Sequence, residues 1–493
     1  LPFHAPHVDY HALLPEIILT ATIVVVLIAD FFFEDRQRWQ TSRIASIGVL
    51  AALVPVLTLA ADGHNRSLFG GAYVVDNYAL VLKGFFLIVT YVTLLISVDY
   101  IAEGDYYQGE FYVLLLTSVL GMTVMASARD LITIFVALET ISIPTFVLAG
   151  WRKHDRRSNE AALKYFLIGV ISSALMLFGM SYIYGLSKTT SLHGIFEYAA
   201  HHDVKALFAV GIFLTLVGFA FKISAVPFHF WAPDTYEGAP TPVTAFLSVA
   251  SKAGGFVAML SIIKFGFYPT GDSWQVILWI LAAASMTLGN LAALRQTNVV
   301  RMLAYSSVAQ GGFILVPLAV AGDVPNGGKS AWEAVVIYLL IYGAMNLGAF
   351  ACVITAARRT HSAEISSFSG MGRTDPSLAV LFSIFLFSLA GIPPLAGWFA
   401  KFVMFRAVFD AGTTSAVILG VIAALNSVVA FFYYAGVARR MWFHEPEAGV
   451  PTEPTRAPLA LTAALAITGL TVLVVGVYPE VFARLGDLAF RLT

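Results

Sequence analysis

Charge is scarce in this sequence. Only 12% of its 493 residues are Asp, Glu, Lys or Arg, against about 25% in an ordinary soluble domain, while 58% are hydrophobic. Such a chain has far too little polar surface to stay in water. A formal net charge of −1 leaves no electrostatic footprint for nucleic acid. No phosphate-cradling glycine loop and no zinc-type Cys/His spacing occurs. With one cysteine, Cys352, there is no internal disulfide and no cysteine-held iron–sulfur cluster, and its apolar surroundings make it a packing residue. Machinery for catalysis on a soluble substrate is missing.

Long apolar windows are what the sequence has instead. Windows of 18–25 residues between polar breaks suit a bilayer's thickness, and about fourteen begin near residues 13, 44, 77, 110, 131, 161, 205, 240, 274, 300, 332, 376, 415 and 457. Leu13 to Phe33 is too long for a cleaved signal core and reads as a retained span. Backbone groups in lipid must be satisfied internally, so the expected fold class is an all-α polytopic membrane protein. Alternate loops carry the cations: Arg36, Arg38 and Arg43; Arg152, Lys153, Arg156 and Arg157; Arg295 and Arg301; Arg358, Arg359 and Arg373; Arg439, Arg440 and Arg456. Placing them inside puts both termini on the outer side. Nineteen arginines against ten lysines, with abundant alanine and valine, suggest a bacterial plasma membrane.

Two windows, the seventh and twelfth, are interrupted. One contains Phe-Lys-Ile-Ser-Ala-Val-Pro-Phe-His-Phe-Trp, residues 221–231, and the other Gly-Ile-Pro-Pro-Leu-Ala-Gly-Trp-Phe-Ala-Lys, residues 391–401. Proline inside a helix frees carbonyls, which membranes tolerate where protein or water covers them. Broken helices in corresponding halves point to an ion site. The expected organisation is residues 1–109 with three helices, a five-helix repeat over 110–270, a second over 271–440, and a last helix over 441–493.

Of the ten lysines, Lys83, Lys164, Lys222, Lys252 and Lys401 sit inside the apolar windows. A lysine at bilayer depth costs about 2.5–3.5 kcal/mol on insertion scales, so chance would favour the loops. Glu139 is buried in the same way. A lysine serves proton transfer when desolvation brings its pKa from about 10.4 towards neutrality, a change worth about 4.6 kcal/mol. A carboxylate at roughly 7 Å opposes this by about 2.4 kcal/mol at an effective dielectric of about 20. Moving such a partner would load or unload the lysine, and the groups together read as a proton path.

Each residue has a blander reading. Glu139 could be half of a structural ion pair, and Lys222 could be held by carbonyls freed at its break. Lys252, amid Ala, Ser and Gly, could make a helix-packing hydrogen bond. Lys401 could snorkel to an interface, Lys164 could cap the membrane boundary, and Lys83 is better explained by packing or snorkelling. Glu16 and Asp30, near the ends of the first window, read as interfacial. His229, Asp234 and Glu237 after the first break would form an aqueous mouth or satisfy a helix end.

Residues 221–248, Phe-Lys-Ile-Ser-Ala-Val-Pro-Phe-His-Phe-Trp-Ala-Pro-Asp-Thr-Tyr-Glu-Gly-Ala-Pro-Thr-Pro-Val-Thr-Ala-Phe-Leu-Ser, resemble the subunit N family of the proton-pumping NADH:quinone oxidoreductase, respiratory complex I. Ala-Ser-Lys-Ala-Gly-Gly at 250–255, Arg-Met-Leu-Ala-Tyr-Ser-Ser-Val-Ala-Gln at 301–310, the 391–402 run and Leu-Leu-Pro-Glu at 13–16 fit the same pattern. The resemblance implies a fold like Mrp-type sodium/proton antiporter subunits, with two inverted five-helix repeats that each supply a half-channel. Carried over by motif, Glu139 and Lys222 match the family's Glu–Lys pair, Lys252 its central lysine, Lys401 the lysine facing the outer exit, and Lys164 a modulating lysine. Flavin and iron–sulfur centres would belong to partner subunits, with no cofactor in this chain. An antiporter-like subunit M and the small subunit K would be its neighbours. Gln310 stands where several members have histidine. It does not titrate, so a proton passing there must use water or a hydroxyl such as Ser306 or Ser307. Competing readings are a standalone Mrp-type antiporter subunit and a structural membrane scaffold.

Overall fold

The structure, a computed structural model, describes residues 8–33, 39–104, 109–202, 206–446 and 456–491; Arg36 and Arg38 of the cationic loops lie outside them. The helices are α1 Tyr10–Phe32, α2 Trp39–Asp62, α3 Asn77–Glu103, α4 Gly109–Ser127, α5 Leu131–Ala149, α6 Arg156–Ser187, α7 Leu192–His201, α8 Ala206–Lys222, α9 Trp231–Gly238, α10 Thr241–Phe246, α11 Lys252–Ile262, α12 Gly271–Ala293, α13 Val299–Val320, α14 Pro325–Thr360, α15 Met371–Thr374, α16 Pro376–Ala390, α17 Gly397–Ala411, α18 Thr414–Phe443, α19 Leu459–Val477 and α20 Glu480–Ala489. A short hairpin that hydropathy did not reveal, β1 Arg66–Leu68 and β2 Tyr73–Val75, pairs antiparallel with Arg66 opposite Val75.

The all-α membrane architecture is the one expected. Among the described residues, eleven helices are long and apolar enough to cross a membrane, with Ala206–Lys222 and Pro376–Ala390 as shorter apolar helices. The count of fourteen is not reached by these criteria, for two physical reasons. The windows beginning near 240 and 274 run together into one apolar stretch, Thr241–Ala293. The two interrupted windows leave only half-helices, α8 of 17 residues and α16 of 15.

Side-chain caps set many of the boundaries. Asp76, Asp130, Asp155, Asn298 and Asp375 each accept a hydrogen bond from a first-turn amide, satisfying donors that have no intrahelical partner. Capping by Asp155 starts α6 at Arg156, in polar sequence ahead of the window expected near 161. The helices α13 and α14 form the centre, with 94% of their apolar windows buried against 33% for α1, α6 and α18. Close approach between α12 and α13 depends on glycine. A Cβ at Gly289 would lie 2.7 Å from the Ala309 nitrogen, and one at Gly312 would lie 2.6 Å from that of Met286. Small residues at such crossings are how helices gain contact where lipid supplies no hydrophobic drive.

Both breaks occur where the sequence placed them. The first separates α8 from α9 over residues 223–230, the second separates α16 from α17 over residues 391–396, and each contains a cis X-Pro peptide, Val226–Pro227 and Pro393–Pro394. Carbonyls freed at the end of α8 are reused by the break itself. Ile223, Ser224 and Ala225 donate to Phe219, Phe221 and Ala220, and the Trp231 indole donates to Phe221 at 3.1 Å.

Candidate functional site

Central helix α13 organises the site. Ser306, Gln310 and Phe313 fall at i, i+4 and i+7, on one helical face, with Ser307 and Gly311 beside them. These positions meet the ends of both broken helices and the lysine of α11.

Lys222 is the last residue of α8 and is 2% exposed. Its Nζ donates to Ser142 Oγ on α5 at 2.9 Å and to Tyr165 Oη on α6 at 3.2 Å. Tyr165 in turn lies 3.2 Å from Thr145 Oγ1. The ammonium is therefore held by hydroxyls, not by stray carbonyls, which overturns the blander reading of this residue. A Cβ at Gly255 would lie 3.0 Å from the Lys222 Cβ, so α11 passes directly over the lysine stem.

Lys252 opens α11 directly after a π-helical turn, Leu247–Ser251. Such turns recur at functional sites because they rotate the residues that follow. It is 1% exposed, and its Nζ donates to Ser307 on α13, to the carbonyl at 2.7 Å and to Oγ at 2.5 Å. A Cβ at Gly311 would lie 3.3 Å from the Ile223 carbonyl and 3.9 Å from the Lys252 Nζ. One glycine of α13 thus sits between the first break and the central lysine.

Lys401, in α17, turns back to the end of α16. Its Nζ donates to the Ala390 carbonyl at 2.7 Å and stands 4.8 Å from the Phe313 ring centroid. A cation there complements the negative end of the helix dipole and the aromatic face. At 7% exposed it is enclosed by protein, so the snorkelling alternative fails. Gly391 makes the approach possible, because its φ is +93° and a Cβ would come within 2.7 Å of the Lys401 Cδ.

Gln310 lies between these two lysines. Its Nε2 donates to the Leu389 carbonyl at 3.0 Å and to Tyr434 Oη at 3.4 Å, and its Oε1 accepts from Tyr338 Oη at 2.7 Å. Tyr434 is also hydrogen-bonded to Ser306 Oγ. Gln310 and Lys401 therefore end on consecutive carbonyls of the same helix terminus.

Glu139 and Lys164 stand apart from this line. Half-buried on α5, Glu139 accepts from Ser173 Oγ of α6 at 2.6 Å. Among the described residues no ion pair joins it to Lys222, although Ser142, one turn along the same helix, bonds that lysine. The Lys164 side chain is 42% exposed and pairs with Glu160 at 2.8 Å and Asp234 at 2.7 Å. Arg301 of α13 bridges Asp234 and Glu237, each at 2.8 Å. This network ties α6, α9 and α13 together on the chain that follows the first break, with Lys164 as its most exposed cation. His229 is buried, 4% exposed.

One buried pair was misread from the sequence. Glu16 is not interfacial: it is 7% exposed and meets the fully buried Lys83 at 3.0 Å. Lys83 also donates to Tyr73 Oη at 2.6 Å, so it does not snorkel. Their mutual recognition leaves no local sequence signal, since it joins α1, β2 and α3. Tyr165 and Tyr434 were also missed, because tyrosine is unremarkable in an apolar window. Among the described residues no group of three or more His, Cys, Asp or Glu side chains is placed to hold a metal ion.

Comparison with known proteins adds a family. Residues 128–427 match the family described as NADH:quinone oxidoreductase/Mrp antiporter, TM. A NADH-quinone oxidoreductase subunit N of Trichlorobacter lovleyi is 37% identical over 488 residues, 98% of this chain and 98% of that protein. A NAD(P)H-quinone oxidoreductase subunit 2 of Thermosynechococcus vestitus is 43% identical over 438 residues, 88% of this chain and 82% of the relative. Among solved structures, a chain of respiratory complex I from Thermus thermophilus with bound aureothin is 30% identical with a TM-score of 0.78, covering 95% of this chain and 98% of that one. A chain of the Mrp complex from Dietzia sp. superposes with a TM-score of 0.83 over 97% of this chain and 96% of that one, at 22% identity, a likeness of fold alone.

Proposed function

The chain belongs to the NADH:quinone oxidoreductase/Mrp antiporter family, and from that premise we propose that it is the membrane-arm subunit N of a proton-pumping NADH:quinone oxidoreductase. It translocates protons through buried Lys and Glu residues, while partner subunits oxidise NADH and reduce quinone. Flavin and iron–sulfur centres sit in those partners. The observation that carries the reading is the set of three enclosed lysine side chains, Lys222, Lys252 and Lys401, placed at a break, at the centre and at a second break around α13.

In this proposal Glu139 and Lys222 form the first loading site. The Glu139 carboxylate is held by the Ser173 hydroxyl, and its approach to Lys222 would favour the charged lysine, its withdrawal the neutral one. A carboxylate at roughly 7 Å and an effective dielectric of about 20 is worth about 2.4 kcal/mol. Carrying a proton against roughly 150 mV costs about 3.5 kcal/mol, so strokes of this size are comparable with the load. Lys252 passes the proton between the halves and Lys401 delivers it to the outer side, while Lys164 tunes the mouth through Asp234. The two five-helix repeats, residues 110–270 and 271–440, would each supply one half-channel.

We place the chain in a bacterial plasma membrane with both termini outside, beside subunits M and K. Sequence relatives at 37–43% identity favour the oxidoreductase subunit over a standalone Mrp antiporter. Inverted vesicles holding the complex test the assignment. Proton uptake that requires NADH and quinone is expected, and NADH-independent sodium/proton exchange would favour the antiporter reading. A purified complex that keeps this chain in place without either neighbour would contradict the arrangement.

A further inference from the structure

Gln310 can neither take up nor release a proton, and the side chains bonded to it between Lys252 and Lys401 are the hydroxyls of Tyr434 and Tyr338. We infer that the hydroxyl of Tyr434 carries the proton there, with Gln310 as the positioning residue that aims it. This rests on the proton-path reading above.

Tyr434 is fully buried on α18, and its hydroxyl meets Ser306 Oγ on one side and Gln310 Nε2 on the other. The Gln310 amide is fixed in orientation. Nε2 faces the Leu389 carbonyl, an acceptor only, and Oε1 takes the Tyr338 hydroxyl. A flipped amide would set two acceptor oxygens against each other. Gln310 therefore donates to the Tyr434 oxygen, and either hydroxyl can donate in the Tyr434–Ser306 bond. In the outward step an N–H bond of Lys252 breaks towards Ser307, which hands a proton through a water to Ser306; the Ser306 O–H bond breaks as one forms on Tyr434, and the Tyr434 O–H bond breaks towards a water at the Leu389 and Ala390 carbonyls, from which a neutral Lys401 Nζ takes a proton. The tyrosine is unchanged at the end of the step, and no oxidant or reductant is needed.

The neighbouring groups fit this relay. Ser306 is next in the chain to Ser307, which takes Lys252 at 2.5 Å. On the other side, the carbonyls of Leu389 and Ala390 hold Gln310 and Lys401 respectively, acceptors between which water can bridge. Serine and tyrosine hydroxyls both donate and accept, as an imidazole does, whereas an amide cannot exchange its roles.

The test uses the assembled complex in inverted vesicles, with artificial-acceptor NADH oxidation counting assembled enzyme. Tyr434→Phe removes one oxygen and keeps the ring. Quinone-linked turnover and proton uptake should fall by about 100-fold, the lower end of what a positioned proton-transfer group contributes, and Ser306→Ala should behave alike. Adding Gln310→His to Tyr434→Phe should restore most of the rate, because an imidazole supplies the missing relay. Parental uptake in Tyr434→Phe, or no rescue by Gln310→His, overturns the inference. So does failure of both Tyr434→Phe and Ser306→Ala to assemble, which would mark the tyrosine as a packing contact. Lys222→Ala, run in parallel, separates the two claims. If it too pumps normally, the proton-path reading falls; if it collapses while Tyr434→Phe does not, only the tyrosine relay falls.

Discussion

The Glu16–Lys83 pair gives the sharpest energetic prediction. The two charges lie 3.0 Å apart, with Lys83 fully buried and the Glu16 side chain 9% exposed. At that distance and an effective dielectric of about 20 their attraction is about 5.5 kcal/mol, set against several kcal/mol of desolvation per ion. Lys83→Met leaves a carboxylate whose Oε2 is already buried without a hydrogen-bond partner, and removing one partner of such a pair costs about 3–5 kcal/mol. Glu16→Leu should cost a similar amount by stranding the ammonium. Replacing both should recover most of the loss, because an apolar pair of similar volume is often as stable as the buried ions or more so, by about 1–4 kcal/mol. Thermal inactivation of the assembled complex, measured on all four members of a double-mutant cycle, isolates the coupling. Neither residue bonds Lys222, Lys252 or Lys401, so proton uptake per NADH in the double variant should match the parent. Single variants as stable as the parent, or a double variant no better than the worse single, would refute the reasoning.

Three further outcomes are expected. Gly391→Ala forces an L side chain into φ +93° with its Cβ 2.7 Å from the Lys401 Cδ, a strain of about 1–3 kcal/mol, and should lower NADH-driven proton uptake by moving Lys401 off the Ala390 carbonyl; unchanged uptake would show that this contact is not required. Lys164→Ala removes two partly exposed pairs, with Glu160 and Asp234, each worth about 0–1 kcal/mol, while Arg301 still holds Asp234, so its turnover should stay well above that of Lys222→Ala, and equal collapse would put Lys164 in the path. The Asp487 carboxyl on α20 is held below its ordinary range chiefly by its hydrogen bond from Lys329, then by Arg491. A lowered pKa contributes stability that is complete above the unfolded value of about 3.9 and is lost as pH falls through the folded value. The Lys329–Asp487 pair, 2.9 Å, joins α14 to α20, so hydrogen exchange in Glu480–Ala489, corrected for intrinsic rate, should quicken only in that acid range, and protection independent of pH would show that the pair does not hold α20 in place.

What the sequence made legible is what physics makes expensive. Lys222, Lys252 and Lys401 stood out because a charge in an apolar window has a cost, and both breaks stood out because proline removes a helical hydrogen bond. Partners were less legible. Lys222 meets Ser142 from 80 residues away and Gln310 meets Tyr434 from 124 away, and serine or tyrosine in a window carries no such cost. Glu16 was misread because it lies near the start of its span, where an interface is the default, although the hairpin and α3 fold over it. Glu139 was identified by its apolar window, yet the fold leaves it half-buried, and its contact with Ser173 could not be anticipated from spacing. The short apolar pieces α8 and α16 also explain why span counts differ, since a broken helix crosses with two halves.

The central claim is that Lys222 belongs to an obligatory proton path. NADH-driven proton uptake into inverted vesicles, compared between the parent and Lys222→Ala with artificial-acceptor NADH oxidation counting assembled complex, tests it most directly. The account predicts normal assembly with quinone-linked turnover and proton uptake collapsing together. Unchanged uptake per NADH in an assembled Lys222→Ala complex would contradict it and leave Lys222 a structural charge.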